Sequence, residues 1–460
     1  MSHQRHYLER RVSISADPID LAAALARSGS HTTYFVYERD GEWSVALGAA
    51  FELTADVHGV HRLDATGKQS CPGGDCLAAV ESALASIPVR GWRAYGTASF
   101  EFAYLLHGIE ANLGTEPLLH LTIPEVEIRL QRGTALVRAL TSGELERMVD
   151  VLASSNRRHA RGMTDVAVLP PVPSPEVLPA RLLETTGAAK YKELVAAATN
   201  EIAARKLHKV IASRVVPVAA PVDLIATYVA GRRQNTPARS FVVNCRDLKF
   251  AGFSPETVLE VTAEGQVMTQ PLAGTRALVS DDVENARLRA ELLSNSKELA
   301  EHAMSVKLAF EELSRVCKQG SVTVNEFMAI SRRGTVQHLA SRLSGMLEAG
   351  NTAWTAFQVL FPAITASGIP KREAVDWIRR HEAESRGLYS GAVLTLDHDG
   401  AMDAALVLRT IFQRGSSVWL RAGAGIVAES TPERELEETC EKLQSVARHL
   451  VPPEFASEPV

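Results

Sequence analysis

Two segments of this chain offer glutamates in pairs, three residues apart. Asn295-Ser-Lys-Glu-Leu-Ala-Glu-His302 carries Glu298 and Glu301, and Glu435-Leu-Glu-Glu-Thr-Cys-Glu-Lys442 carries Glu435 and Glu438. At helical spacing each pair projects from one face. Four carboxylates brought to one spot repel one another unless a cation sits between them. A fold that joins these two helices must therefore provide for one. Ligation by oxygen alone favours a hard ion, and Mg²⁺ is the expectation.

The rest of the composition narrows the class. The chain has 460 residues, 46% apolar and 22% charged, which is ordinary for a globular enzyme of two or three domains or one large α/β unit. A net charge of −5, with lysines and arginines scattered, gives no footprint for nucleic acid. No apolar run approaches the 18 or so residues of a membrane span. The first eleven residues, Met1 to Arg11, lack the apolar core of a secretory signal. Five cysteines are few and odd in number. Cys71 and Cys76 flank Pro-Gly-Gly-Asp, but no further Cys or His pair stands at zinc-site spacing. A cytoplasmic protein without membrane or nucleic-acid partners is expected.

Residues 1–168 read as a strand-rich part, with a hairpin over Tyr34–Leu47 turning at Asp40-Gly41 and an apolar stretch over Gly91–Phe102. No chemistry is visible in this part. Five prolines between Pro170 and Pro179 mark a loop over 169–180. Residues 181–452 follow, and the two parts are expected to form one intertwined unit. In the second part the patterns predict a helix over Ala188–Lys206 and strands over Lys209–Val218, Ser240–Asn244, Thr257–Thr262, Tyr389–Leu396, Ala404–Thr410 and Val418–Ala422. Long helices are predicted over Asp282–Cys317 and Glu433–Leu450. Ser430 and Glu433 read as a capping box, with Pro432 in the first turn.

Several polar residues stand where chemistry could use them. Lys209 lies where a polar turn enters an apolar strand. Desolvated in a cleft it would become a usable base, and at a strand end it could equally snorkel to solvent. Glu256, in Phe253-Ser-Pro-Glu256, could be held protonated by an apolar pocket or be a solvated turn residue. Gly274 and Thr275, in Thr269-Gln-Pro-Leu-Ala-Gly-Thr-Arg276, offer backbone N–H groups and a hydroxyl to an anion. Arg421-Ala-Gly-Ala-Gly-Ile426 is a second glycine-bearing segment, ahead of the acidic helix. It lacks the spacing of a dinucleotide fingerprint and can also be a plain turn.

Together these segments resemble the chorismate-utilising enzymes, over roughly residues 185–450. The resemblance is carried by Pro271-Leu-Ala-Gly-Thr-Arg276, Asn295–His302, Val336-Gln-His-Leu339, Arg386-Gly-Leu-Tyr-Ser-Gly391, Arg421-Ala-Gly-Ala-Gly425 and Glu435-Leu-Glu-Glu-Thr439. It implies an α+β fold: two stacked antiparallel sheets surrounded by helices. Within the family, amine-transferring members such as anthranilate synthases carry glutamine where this chain has Lys209. Lysine there implies that water is the nucleophile and that no glutaminase subunit is needed. Aminodeoxychorismate synthases carry an attacking lysine where Ala273 stands. Phe361-Pro-Ala-Ile-Thr-Ala-Ser-Gly-Ile-Pro-Lys371 is similar to the mycobactin-type salicylate synthases of siderophore pathways, as are Gly387–Ala392 and Arg421–Ile426.

That resemblance implies conversion of chorismate to isochorismate and then to salicylate and pyruvate, by a monomer. Lys209 would activate water and Glu256 would protonate the leaving hydroxyl, with His338 lining the ring pocket. Arg409 and Tyr389 would grip the enolpyruvyl carboxylate. Gly274, Thr275, Thr365, Gly423, Gly425 and Lys442 would complete the anion cradle. Mg²⁺ would join the ring carboxylate to Glu301 and Glu438, with Glu298 and Glu435 reached through water. An isochorismate synthase that releases its intermediate is the nearest alternative. A catalytically dead chorismate-binding protein is a remoter one, since buried charges serve no purpose in a dead site.

Overall fold

A computed structural model describes residues 5–72, 74–114, 116–160, 177–334 and 336–453. Most of the expected proline-rich loop, including Pro170, Pro171, Pro173 and Pro175, lies outside the described residues. Pro179 stands immediately before a short helix, Ala180–Thr185.

Two large sheets, antiparallel throughout, form the centre. One contains twelve strands. Its C-terminal part is ordered Leu272–Ala277, Val336–Met346, Gln266–Thr269, Thr257–Val261, Met402–Leu406, Ala392–Asp397, with Thr323–Arg333 also pairing on Val336–Met346. The same sheet continues through strands of the first part, beginning with Arg93–Ala98. The other sheet has eleven strands. It runs from Gly368–Ile369 through Lys209–Val218, Ser417–Ile426, Thr410–Arg414, Leu248–Ser254 and Arg239–Cys245. At Tyr34–Arg39 it too passes into strands of the first part. Each sheet is thus half N-terminal and half C-terminal.

The sheets stack on a core that includes Phe35, Phe241, Phe250 and Phe412 from one and Tyr95, Val393 and Ala405 from the other. Helices cover the outer faces. The helix Ala188–Ala203, for example, buries Tyr191, Val195, Ala198 and Ile202, a helical stripe of spacing four, three and four. No helix among the described residues is long and apolar enough to cross a membrane.

The hairpin at Tyr34–Arg39 and Glu42–Leu47 forms as predicted. Asp40 and Gly41 both take positive φ (51° and 81°), as a two-residue turn matched to strand twist requires. Three expectations are corrected. The helix predicted over Asp282–Cys317 is two helices, Asp282–Ser294 and Ser296–Ser314. Asn295 adopts an extended conformation between them, and its side-chain oxygen accepts the backbone N–H of Glu298 at 3.1 Å. An asparagine able to cap competes with the helix it interrupts. The Ser430–Glu433 capping box does not form. Thr431 occupies the cap position without a side-chain bond, and Ser430 Oγ instead accepts Val427 N–H at 3.0 Å, closing the preceding turn.

The third correction locates the site. The single strand predicted over Ala404–Thr410 is two strands in different sheets, Met402–Leu406 and Thr410–Arg414. Between them the chain crosses from one sheet to the other, with Arg409 at φ 50°. A second crossing lies beside it, where Leu248–Ser254 gives way to Thr257–Val261 across Pro255-Glu256. The two crossings are stitched together. Phe253 N–H donates to Arg409 O at 3.2 Å, Leu406 N–H to Glu256 O at 3.1 Å, and Ser254 Oγ to Leu406 O at 2.5 Å.

Candidate active site

A cavity opens at these crossings. Its walls include Lys209, Glu256, Gly274, Thr275, Glu301, His338, Thr365, Tyr389, Arg409, Gly423, Gly425, Glu438 and Lys442. Residues far apart in sequence are brought together from strands of both sheets, the two crossings, the short helix Ile364–Ala366, the turn before Ala392 and the two acidic helices. Glu298 and Glu435 do not line this cavity. They line an adjoining one of about 390 Å³, which shares Gly274, Thr275, Glu301, Gly425 and Glu438 with the first.

Lys209 is the first residue of its strand and is 3% exposed. It does not snorkel. Its Nζ donates to Glu301 Oε1 at 2.6 Å. Gly425, on the paired strand Ser417–Ile426, makes the room. A Cβ there would lie 3.0 Å from Lys209 Cε and 3.3 Å from Glu301 Oε1. Gly274 fills a similar need on the other wall. Its φ is +80°, and a Cβ would meet Glu298 Oε2 at 3.1 Å.

Glu256 is buried, and burial pushes its carboxyl up to about 8 despite the hydroxyl of Thr365, which donates to Oε1 at 2.6 Å. At neutral pH it carries its proton. Arg409 is half-buried. Burial, with Arg333 nearby, lowers its guanidinium to about 10. Its Nη2 donates to His338 Nε2 at 3.1 Å, and His338 Nδ1 stands 2.9 Å from Thr275 Oγ1. Burial, then the charges of Arg409 and Lys442, hold His338 well below its usual value. Tyr389 is raised by its burial. Lys442 donates to Gly423 O at 2.9 Å and pairs with Glu438 at 2.8 Å. Burial works against its charge, but Glu438 outweighs it.

The four carboxylates expected to meet do line one space, on the helices Ser296–Ser314 and Pro432–Ala447. Three of them are held by side-chain cations. Glu301 takes Lys209, Glu438 takes Lys442, and Glu298 takes Arg276 at 3.0 Å. Glu435 is buried. In this arrangement no three His, Cys, Asp or Glu side chains among the described residues stand as a metal cluster. The donor chemistry nevertheless fits a hard divalent cation. Six glutamates and two arginines line the space, an excess of negative oxygen ligands.

Sequence reasoning gave no role to several residues found here. Arg276 was only part of a motif, as were Arg386 and Arg421. Glu382 was not singled out, although its position four residues before Arg386 is a signal for an ion pair. The first part of the chain, read as free of chemistry, contributes Glu101. Its carboxylate accepts Arg386 N–H at 2.7 Å behind the cavity.

The family model for chorismate binding enzymes matches residues 31–448. The chain is 39% identical over 449 residues to the salicylate synthase of Mycolicibacterium paratuberculosis, covering 95% of each. It is 38% identical over 260 residues to component 1 of the anthranilate synthase of Spirochaeta aurantia, covering 56% of this chain and 54% of the other. The crystal structure of anthranilate synthase component I from Streptococcus pneumoniae superposes with a TM-score of 0.72 at 25% identity, covering 88% of this chain and 92% of that one. The match along nearly the whole chain, with the site assembled as described, places this protein in the family of chorismate-utilising enzymes.

Proposed function

We propose that the enzyme exchanges the C4 hydroxyl of chorismate for a C2 hydroxyl taken from water, forming isochorismate, and then eliminates pyruvate to leave salicylate. The observation that carries this reading is a buried lysine and a protonated glutamic acid facing one cavity, Lys209 and Glu256. The similarity to a salicylate synthase over 95% of both chains supports it.

In the first step Lys209, having given its ammonium proton to solvent, removes a proton from water, which attacks ring carbon C2. The ring double bonds shift, the C4–O bond breaks, and Glu256 gives its proton to the departing hydroxyl. In the second step the C2 hydrogen passes to the enolpyruvyl methylene while the C3–O bond breaks. Pyruvate leaves and the ring becomes aromatic. This rearrangement needs the substrate folded rather than a protein acid or base, so positioning supplies the catalysis. Arg409 and Tyr389 would hold the enolpyruvyl carboxylate, a task suited to a planar cationic donor and a phenol. Gly274, Gly425, Thr275, Thr365 and Lys442 would surround the remaining anionic oxygens.

Glu298, Glu301, Glu435 and Glu438 would hold Mg²⁺, which when bound supplies the positive charge that neutralises a substrate carboxylate among the glutamates. Gly423 would keep the wall beside Tyr389 open. A Cβ there would lie 3.0 Å from the Tyr389 hydroxyl. No glutaminase partner enters this chemistry, because water is the nucleophile.

The test is a product assay. Incubated with chorismate and Mg²⁺, the protein should release salicylate and pyruvate in equal amounts. Isochorismate accumulating without pyruvate would replace the reading with that of an isochorismate synthase. Binding of chorismate without turnover would make it a binding protein.

A further inference from the structure

Behind the cavity lies a carboxylate that no step above uses. Glu382 closes the helix Lys371–His381, and its side chain is 3% exposed. One oxygen accepts the backbone N–H and hydroxyl of Ser213, each at 2.9 Å, and Arg386 Nη2 at 2.7 Å. The other accepts Arg386 Nε at 2.9 Å and Arg421 Nη2 at 2.6 Å. Burial works against its charge, yet the two guanidinium groups keep the carboxyl below its usual range. Among the described residues, neither arginine has an ion pair with any other carboxylate.

Both arginines then turn to one ring. The guanidinium carbon of Arg386 lies 5.6 Å from the centroid of Tyr389, and that of Arg421 lies 5.5 Å from it. Arg386 also covers Phe100 at 4.5 Å. Their remaining donors fix backbone around the ring: Arg386 bonds Ala366 O and Ile211 O, and Arg421 bonds Ser385 O. Tyr389 and Arg421 both line the substrate cavity. A buried ionic cluster is a poor way to gain stability, since well-packed apolar groups serve as well or better. What a fully satisfied network does provide is a unique arrangement.

We infer that Glu382 is a positioning residue for substrate binding: through Arg386 and Arg421 it fixes the ring of Tyr389 and the adjoining cavity wall. This rests on the reading that Tyr389 faces chorismate.

The test compares Glu382→Gln, Glu382→Asp, Tyr389→Phe and the double variants that combine each Glu382 change with Tyr389→Phe. Circular dichroism first establishes which Glu382 variant folds, and that one carries the cycle. The neutral Gln variant should raise KM for chorismate about tenfold with kcat changed less than about threefold, and Asp, which keeps the charge, should recover part of the loss. On a Tyr389→Phe background the same change should add no more than about twofold, because the hydroxyl it positions is gone. An unchanged KM with a lower kcat, or effects that multiply in the double variant, would overturn the inference. Calorimetric Kd values for chorismate with Mg²⁺ are measured in parallel. If the wild type binds chorismate but forms no product, the functional reading fails, and the Kd cycle still decides the role of Glu382 by the same criteria.

Discussion

Arg409 Nη2 donates to His338 Nε2 across 3.1 Å. A guanidinium has no acceptor, so Nε2 of the imidazole is bare and the proton sits on Nδ1, toward Thr275 Oγ1 at 2.9 Å. His338 is therefore neutral and aims Arg409 rather than trading protons with substrate. Nitrogen-15 NMR should find this ring neutral, with Nε2 unprotonated, at the pH where a free histidine is half charged. Its ordinary value near 6.5 is lowered, so charging it requires more acid than a free histidine does. His338→Ala should raise KM for chorismate by about tenfold, as expected when one member of a coupled network is lost. An imidazole that titrates between pH 6 and 7 would contradict the arrangement.

Glu256 sets an upper pH limit. With its carboxyl near 8, it is a competent acid at neutral pH and loses its proton as pH rises past that value. The rate of the first step should fall along a descending limb near pH 8. Glu256→Gln should abolish the limb and cost about 10²–10⁴ in kcat. The same shift has a consequence for folding. The native state keeps a proton that the unfolded chain gives up above its ordinary value near 4.5, so the residue's contribution to stability declines between that value and 8 as pH rises. The isosteric, neutral Gln variant should resist urea better than wild type at pH 8. A lower midpoint would show that Glu256 is not buried as an acid.

Lys209 separates the two reactions. If it serves only to activate water, Lys209→Ala should lower turnover of chorismate by about 10²–10⁴ yet still convert supplied isochorismate to salicylate. Equal losses on both substrates would identify the ammonium as a binding group instead.

Arg276 holds Glu298 at 3.0 Å while also bonding Glu291 at 2.9 Å, so it would compete with any cation for Glu298. EDTA should abolish salicylate formation and Mg²⁺ should restore it. Glu301→Gln and Glu438→Gln should weaken Mg²⁺ binding measured by calorimetry, whereas Arg276→Gln should strengthen it several-fold by removing a rival charge. Full turnover in metal-free buffer would refute the need for the ion, and weaker Mg²⁺ binding by Arg276→Gln would refute the rivalry.

How much of this was legible in the sequence depends on the range of the forces involved. The paired glutamates, the lysine entering a strand and the glycine segments are local patterns, and all of them reach the same pair of adjoining cavities. The crossings that carry Glu256 and Arg409 are not local. The apolar run over Ala404–Leu408 says that strand is favoured but not which sheet each half joins, and that choice is made by distant partners such as Val393 and Phe250. Asn295 was visible as a residue, but the strong helix formers on both sides of it concealed its role as a break. Glu382 and Glu101 stayed unassigned because a buried carboxylate and a surface one look alike until the arginines that face them are placed.

The halving of each sheet bears on how the chain is made. Ala98 must wait for Ala392 before its ladder closes, and Tyr37 must wait for Phe241. The ribosome therefore releases an N-terminal half with two open strand edges, and nearly the whole catalytic half must follow before both are covered. Such distant pairing makes for slow folding and a long exposure to mispairing. Chaperone supply and growth temperature, more than final stability, should then govern how much active enzyme a cell obtains.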